Sequence, residues 1–281
     1  MALERKRNMK IPGETSRPSP LTSPVLDLNE RGRRGVWIDL PDPASIELIC
    51  VEGPDWVGID GQHGKPDFPD LLALIDAANV FGVPAIVRAQ GHDVGGAGRV
   101  IDAGAQGIIF PTVEDGETAS KLVSACRFPP RGGRSYGPVR RSPRYAKPTP
   151  GVPADDPLAI LMVETRAGYE NLDAILTADP DGIFVGPYDL SLSLGVDFDT
   201  LVSADPDGIL RDIARRCAEA GVPVGIYTGS IALSQAPISW GYSFMPIASD
   251  YSLISTATRS VLAEAALSEP AATRRVSSHA T

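Results

Sequence analysis

Eight short apolar runs rich in β-forming residues recur along the chain, and a segment long enough for a helix separates most of them. The runs are "GVWIDL", "WVGID", "PAIVRA", "QGIIFP", "LAILMVE", "GIFVGP", "VPVGIY" and "YSFMPIA". The segments between them, such as "DLLALIDAANVFG" and "ILRDIARRCAEAG", place apolar residues three and four positions apart, which is typical of amphipathic helices. Alternating strands and helices favour a parallel sheet with right-handed crossovers, and eight such units close naturally into a barrel. The sequence therefore predicts an α/β fold, a (β/α)8 TIM barrel, with an open doubly wound sheet as the alternative.

The two ends of the chain differ in composition from the part between them. Residues 1–34 and 268–281 are rich in Ser, Pro and charged residues, a composition that cannot bury enough apolar surface to order itself. We predict a flexible N-terminal arm, a barrel over residues 35–267 and a flexible C-terminal tail. The stretch from Phe128 to Asp156 carries seven of the 26 prolines, and a loop of that length in a compact domain is usually functional.

Charge and cysteine content exclude several classes of partner. The net charge is −9, and no clustered basic face is evident, so the sequence predicts no nucleic-acid partner. No run approaches the length of a membrane span or a signal peptide, so it predicts no membrane partner. The three cysteines, Cys50, Cys126 and Cys217, are scattered and odd in number, as expected for reduced thiols in a cytoplasmic protein. Small molecules remain as the expected ligands.

Two acidic residues come at the ends of neighbouring predicted strands. Glu164 directly follows "LAILMV", and Asp189 follows "GIFVGPY". Parallel barrel strands lie roughly 5 Å apart and deliver their C-terminal ends to one rim, so two such carboxylates can share a cation. Ligation by oxygen alone suits Mg²⁺ or Mn²⁺. Glu164 and Asp189 are therefore predicted metal ligands; the alternative is that each acid lies at the N-terminus of a helix.

Three further polar residues are candidates for the chemistry. His63 follows the second predicted strand, where a histidine is well placed as a general base or is an ordinary loop residue. Arg88 ends the third strand, where its guanidinium needs a bound anion or a salt bridge to a neighbouring acid. Asp102 lies on the following helix and either orients an imidazole or is a surface charge.

Three other chemistries are disfavoured. The glycine-rich stretch "GHDVGGAG" matches neither phosphate-binding spacing, so His92 within it is interpreted as a loop residue. No lysine ends a predicted strand, which disfavours imine catalysis. Ser191 and Ser193 lack the G-x-S-x-G context of a nucleophilic serine.

Several motifs in sequence order resemble the HpcH/HpaI aldolase family over residues 36–254. They are "GIDGQHG", "IVRA", "ALIDAANV", "VIDAGAQGIIFPTVEDGETA", "CRFPPRGGRSYGPVR", "MVETRAGYENLDAIL" and "GIFVGPYDLSLSLG". The resemblance implies a TIM barrel of the phosphoenolpyruvate/pyruvate superfamily and a class II aldolase that acts in the catabolism of aromatic compounds. It implies reversible cleavage of a 4-hydroxy-2-keto acid, such as 4-hydroxy-2-oxoheptanedioate, to pyruvate or hydroxypyruvate and an aldehyde through a metal-stabilised enolate. The implied cofactor is Mg²⁺, Mn²⁺ or Co²⁺.

The same resemblance implies roles for individual positions. Glu164 and Asp189 match the family's metal ligands, and Arg88 matches the arginine that contacts the 2-keto oxygen. His63 matches the catalytic histidine, and Asp102 the acid that assists it. The implied substrate-binding residues are Gly186, Pro187, Tyr188 and Asp189 of one loop, together with Arg88. The family's C-terminal helix exchange implies a homo-oligomer, a hexamer or trimer, in which "SLISTATRSVLAEAAL" is the exchanged helix.

Three departures from the family pattern leave the aldehyde partner undefined. Gln62 replaces a carboxylate beside His63, Met162 replaces a glutamine two residues before Glu164, and Tyr188 occupies a position that is usually small. The large ring of Tyr188 is expected to narrow the substrate pocket. Three alternatives stay open: an acyl-CoA ester lyase using arginines between Arg131 and Arg144, an oxaloacetate decarboxylase, and a catalytically weak barrel that binds a keto acid.

Overall fold

A computed structural model describes residues 26–137, 156–203 and 208–268. All eight strands predicted from the sequence are present, and each pairs in parallel with the next until β8 closes the ring on β1. This confirms the (β/α)8 barrel and excludes the open sheet. The strands are β1 Arg33–Ile38, β2 Trp56–Asp60, β3 Ala85–Arg88, β4 Gly107–Phe110, β5 Leu158–Val163, β6 Gly182–Val185, β7 Val224–Ile226 and β8 Phe244–Ser249.

Helices connect the strands on the outside of the barrel. Five of the described helices begin at aspartates whose carboxylates accept hydrogen bonds from the first turn, which is the usual N-cap arrangement. The described helices are α1 Pro43–Val51, α2 Phe68–Val80, α3 Val94–Asp102, α4 Gly116–Cys126, α5 Arg166–Glu170, α6 Leu172–Leu176, α7 Pro187–Leu194, α8 Phe198–Leu201, α9 Ile209–Ala220, α10 Ile231–Trp240 and α11 Asp250–Ser268.

Large aromatic side chains fill the barrel interior, and glycines on neighbouring strands make room for them. Trp37 lies opposite Gly58, and Trp56 lies opposite Gly35. A Cβ atom on either glycine would come within 2.4 Å of the facing indole ring. Phe184 stacks on Trp37 with ring centroids 6.0 Å apart. Glycine normally weakens a strand, so its recurrence in these strands follows from the close approach of the rings.

The segment before β1 belongs to the barrel, which corrects the predicted domain boundary. Leu26 and Leu28 are 4% and 3% exposed and pack in the same interior cluster as Trp37. Leu28 also contacts β6, because a Cβ atom on Gly182 would lie 3.1 Å from its Cδ1. The predicted flexible arm of residues 1–34 is therefore too long: residues from 26 onward are part of the fold, and β1 begins at Arg33. Residues 1–25 and 269–281 lie outside the described part of the chain.

A second cluster of buried side chains lies between the sheet and the surrounding helices. It includes Cys50, Cys126 and Cys217, which are free and buried. Burial raises the pKa of each thiol to about 12, so all three stay protonated near neutral pH. Within the described ranges, no helix is long and apolar enough to cross a membrane.

Asp250 fixes the start of α11 against the end of β1. Its carboxylate accepts hydrogen bonds from the backbone N–H groups of Asp39 and Leu40, both at 3.0 Å, and it is almost fully buried. From this anchor the helix extends with nearly every side chain exposed. The C-terminal helix predicted from the sequence is thus confirmed as a helix, and its exchange between subunits stays a prediction.

Candidate active site

The C-terminal ends of β2, β4 and β5, together with α7, enclose a polar cavity of about 450 Å³. The lining brings together four elements that are far apart in the sequence. Its residues are Gln62, His63, Thr112, Glu164, Thr165, Asp189, Leu192 and Ser193. Three residues predicted from the sequence, His63, Glu164 and Asp189, therefore share one cavity at the rim where barrel active sites lie.

Glu164 follows β5 and is held in one orientation. Its Oε1 accepts two hydrogen bonds from Thr112, one from the backbone N–H at 2.7 Å and one from the hydroxyl at 2.9 Å. A Cβ atom on Gly186 would come within 2.7 Å of Oε2, so this glycine leaves room for the carboxylate. Burial raises the pKa of Glu164; the Thr112 hydrogen bonds oppose this shift, and the charge of Asp189 adds to it.

Asp189 lies in the first turn of α7, close enough to Glu164 to influence its pKa. Gly186 is the N-cap of α7 and Pro187 its first residue, and no side chain caps this helix end. The first N–H groups of α7 are thus not occupied by a capping side chain. The ring of Tyr188 was expected to narrow the substrate pocket. It packs instead on Phe198, with 5.8 Å between the ring centroids, and it does not line the described cavity.

Arg88 pairs with Asp60, so its guanidinium has the acidic neighbour that the sequence left as an alternative. Its Nε and Nη2 atoms donate to the two oxygens of Asp60 at 2.9 and 2.5 Å. Arg88 also lies over the ring of Trp37, 5.3 Å from the centroid. Its charge opposes the rise in the pKa of Glu164 that burial causes. Among the described residues, no hydrogen bond from its Nη1 is present. Arg88 is therefore fixed in place with one nitrogen still available.

Asp60 also shapes the turn that carries His63. Its Oδ1 accepts the backbone N–H groups of Gln62 and His63 at 2.9 and 3.2 Å. Burial raises the pKa of Asp60, but the hydrogen bond and charge of Arg88 outweigh this, and the pKa is lowered overall. His63 is exposed, and its ring makes no hydrogen bond within the described ranges. The ring is thus free to meet a ligand in the cavity.

Asp102 does not reach His63 within one chain, so its role of assisting that histidine stays a prediction. It is the last residue of α3, and the chain turns there into the start of β4. It therefore lies at the end of the barrel opposite to the strand C-termini. Its carboxylate accepts a hydrogen bond from Arg134 at 2.6 Å. The predicted role as a charge on the helix surface agrees better with this position.

Three residues at or near the site, Asp60, Thr112 and His92, were not assigned to it from the sequence. Asp60 is the last residue of the second strand, a position similar to that of Glu164, which directly follows the fifth. Thr112 follows the fourth strand with a positive φ of 54°, which no sequence pattern indicates. His92 donates from Nε2 to the carbonyl oxygen of Pro111 at 2.7 Å, so it contacts the loop that carries Thr112.

Two further predictions concern Met162 and the loop from Phe128 to Asp156. Met162 is buried in the interior cluster, and its Cε would lie 2.6 Å from a Cβ atom on Gly186. The Phe128 to Asp156 loop is described up to residue 137, where Arg131 pairs with Asp156. Its expected contribution to the aldehyde half of the pocket falls mainly on residues 138–155, which lie outside the described residues.

The residues present fit a divalent cation. In the described ranges, no group of three or more His, Cys, Asp or Glu side chains could hold a metal. Glu164, which is buried, and Asp189, which is exposed, instead supply two carboxylates. The charge of Asp189 raises the pKa of Glu164, and this repulsion favours a positive charge between them. A donor set of two carboxylates, with water and substrate completing the shell, is the arrangement that Mg²⁺ commonly accepts.

Two characterised relatives are similar over most of the chain. The hydroxypyruvate/pyruvate aldolase of Rhizorhabdus wittichii is 36% identical over 234 residues, which cover 82% of this chain and 92% of that protein. The 2-keto-3-deoxy-L-rhamnonate aldolase of Klebsiella pneumoniae is 33% identical over 227 residues, which cover 79% of this chain and 85% of that protein.

Solved structures agree with this relationship. An HpcH/HpaI aldolase/citrate lyase family protein from Burkholderia cenocepacia superposes with a TM-score of 0.75 at 28% identity, covering 85% of this chain and 97% of that one. Macrophomate synthase superposes with a TM-score of 0.72 at 28% identity, covering 84% of each chain. The family model for HpcH/HpaI aldolase/citrate lyase matches residues 33–257. The chain therefore belongs to the HpcH/HpaI aldolase/citrate lyase family.

Proposed function

We propose that this protein is a lyase, a divalent-metal-dependent aldolase that reversibly cleaves a 4-hydroxy-2-keto acid into an aldehyde and pyruvate or hydroxypyruvate. The observation that carries the proposal is the pair of carboxylates next to His63 in one cavity, Glu164 directly after β5 and Asp189 in the first turn of α7. The aldolase names of the relatives from Rhizorhabdus wittichii and Klebsiella pneumoniae support it.

Glu164 and Asp189 would hold the cation, Mg²⁺, Mn²⁺ or Co²⁺. When bound, it would polarise the 2-keto group as a Lewis acid. The uncapped N-terminus of α7 offers backbone N–H groups and the positive end of the helix dipole to the keto-acid carboxylate. Arg88, whose Nε is held by Asp60, would supply positive charge for the negative charge that develops on the keto oxygen.

His63 moves the proton in this scheme. In the cleavage direction its imidazole takes the proton of the 4-hydroxyl, the C3–C4 bond breaks, and the aldehyde leaves. The electron pair passes to C3, which then takes up a proton to give the methyl group of pyruvate. In the addition direction the same ring removes a C3 proton from pyruvate. The hydrogen bond from the His63 backbone to Asp60 keeps the ring at the cavity while leaving both ring nitrogens unoccupied.

A coupled assay tests the proposal. A panel of 4-hydroxy-2-keto acids is incubated with the protein and metal, and pyruvate is detected by NADH consumption with lactate dehydrogenase. We expect turnover that chelation abolishes and Mg²⁺ or Mn²⁺ restores, and loss of turnover in Glu164→Gln and Asp189→Asn. His63→Ala should retain metal binding and lose about 100-fold or more in kcat.

Other outcomes would point to the alternatives. Turnover of an acyl-CoA ester or of oxaloacetate, without cleavage of any hydroxy-keto acid, would contradict the aldolase. Pyruvate binding without turnover of any substrate would leave a keto-acid-binding barrel. Of the arginines expected for a CoA groove, Arg131 and Arg134 pair with acids, and Arg140, Arg141 and Arg144 lie outside the described residues.

A further inference from the structure

Thr112 adopts a backbone conformation that a β-branched residue rarely takes. Its φ is 54°, in the left-handed region, where the Cβ atom meets the backbone. Such conformations are strained and persist where the surroundings enforce them, often at functional sites. Here the conformation aims both the N–H and the hydroxyl of Thr112 at one oxygen of Glu164. The backbone on either side is also held: His92 donates to the Pro111 carbonyl, and the Val113 N–H donates to Met162.

The two hydrogen bonds leave the oxygens of Glu164 unequal. A carboxylate oxygen has two lone-pair sites, and Thr112 takes both on Oε1. Oε2 has no hydrogen-bond partner in the described part of the chain, and the missing side chain of Gly186 keeps the space beside it open. Glu164 can therefore give a cation one oxygen and not two.

The number of oxygens per carboxylate separates the divalent cations. Mg²⁺ and Mn²⁺ accept six ligands in near-octahedral geometry and bind carboxylates through one oxygen, whereas Ca²⁺ takes six to eight ligands and readily binds carboxylates through both. We propose that Thr112 is a specificity-determining residue for the cation: by occupying Oε1 of Glu164, it makes the site select small six-coordinate ions over Ca²⁺. This inference rests on the proposed function, since it assumes that Glu164 is a metal ligand.

Isothermal titration of metal-free protein with Mn²⁺ and, separately, with Ca²⁺ tests the inference without any enzyme assay. Thr112→Val keeps the shape and the backbone N–H but removes the hydroxyl, which frees one lone pair of Oε1. We expect Mn²⁺ affinity to fall about tenfold or more, as for other residues that orient metal ligands. Ca²⁺ affinity should hold or rise, so the preference for Mn²⁺ over Ca²⁺ falls at least tenfold.

Two variants and a control separate this role from a loss of folding. Thr112→Ser restores the hydroxyl and should restore the preference. Thr112→Gly accepts the positive φ and lacks the hydroxyl, so it should lose the preference even if valine disturbs the loop. In Thr118→Val the lost hydroxyl donates to Asp115 on α4, outside the cavity, and both affinities should match wild type. The unfolding temperature of each metal-free variant reports on folding.

The outcomes distinguish this inference from the proposed function. If Thr112→Val and Thr112→Gly keep the wild-type preference, or if both affinities fall in parallel, Thr112 does not select the cation. If wild type binds neither ion, or if Glu164→Gln binds Mn²⁺ as well as wild type, the metal site itself is wrong and the inference fails with it.

Discussion

At the scale of single residues, the ion pair between Asp60 and Arg88 organises the barrel mouth. Arg88 is 9% and Asp60 2% exposed, so neither charge has water to replace a lost partner. The pair fixes the guanidinium over Trp37, and the same aspartate holds the turn of His63. One buried carboxylate thus orients two of the proposed functional groups.

Replacing Asp60 should therefore reduce stability as well as activity. Because the pKa of Asp60 is lowered in the folded state, its contribution is present above its unfolded pKa of 3.8 and is lost as the pH falls below that value. At neutral pH, Asp60→Asn should cost about 3–5 kcal/mol in the free energy of unfolding, since it leaves Arg88 buried without a counter-charge. Urea denaturation measures this.

Asp55→Asn is the matched control, because Asp55 pairs with Arg33 in a partly exposed position. Its cost should be about 1 kcal/mol or less. Equal costs for the two substitutions would show that burial does not strengthen the Asp60 pair.

Asp39, directly after β1, should make the stability of the protein depend on pH in the sense opposite to that of Asp60. The pKa of Asp39 is raised from 3.8 to about 6, mainly by burial and then by the charges of Asp250 and Asp60, against the opposing charge of Arg88. Tyr227, from β7, faces the same group. The stabilising effect of the protonated carboxyl is complete below 3.8 and is lost as the pH rises through about 6.

Asp39→Asn cannot ionise and should escape this loss. Its unfolding temperature relative to wild type should therefore be higher at about pH 8 than at about pH 5. Thermal unfolding followed by circular dichroism in matched buffers measures the difference. A difference that stays constant between the two pH values would mean that Asp39 has the same pKa in the folded and unfolded states.

At the scale of secondary-structure elements, the segment before β1 contributes to the barrel core. Leu28 packs beneath the aromatic residues and against β6. Leu28→Ala should lower the free energy of unfolding by about 2–5 kcal/mol, as for other buried leucines. Leu48→Ala on α1 is the control, because that side chain is 72% exposed and its loss should change stability by about 0.5 kcal/mol or less. Equal effects would place Leu28 outside the core.

The strands were predictable from the sequence because each is an apolar run that the barrel buries on both faces. The proximity of Glu164, after β5, and Asp189, in the helix after β6, was predictable for the same reason, since strand order fixes which strand ends meet. The Asp60–Arg88 pair and the contact between Asp102 and Arg134 join residues 28 and 32 positions apart, and periodicity carries no information about such pairs. Leu26 and Leu28 were missed because two apolar residues in a polar segment form no repeating pattern.

At the scale of the whole molecule, α11 presents an apolar stripe without a partner in the described chain. Tyr251, Ile254, Val261 and Leu262 lie on one helical face, and Tyr251 and Leu262 are 66% and 65% exposed. Exposed stripes of this kind mark interaction surfaces. We propose that a second copy of the chain covers it, in a homo-oligomer of three or six subunits.

Negative charges introduced on this apolar face of α11 should therefore dissociate the homo-oligomer. Wild type should elute with the mass of a trimer or hexamer in size-exclusion chromatography with light scattering, and the double variant Val261→Asp, Leu262→Asp should shift to smaller species. Ser260→Asp adds one charge on the roughly opposite face and should keep the wild-type mass. A monomeric wild type, or an unchanged mass in the double variant, would contradict the assignment of this face.

We propose that a divalent cation held by Glu164 and Asp189 allows the protein to remove a C3 proton from pyruvate. Exchange of the pyruvate methyl protons with deuterated water, followed by proton NMR, measures that step without an aldehyde. Wild type with Mg²⁺ should exchange the protons, and chelated wild type and Glu164→Gln with Mg²⁺ should not. Exchange at the wild-type rate in metal-free protein of verified purity, or in Glu164→Gln, would contradict the account.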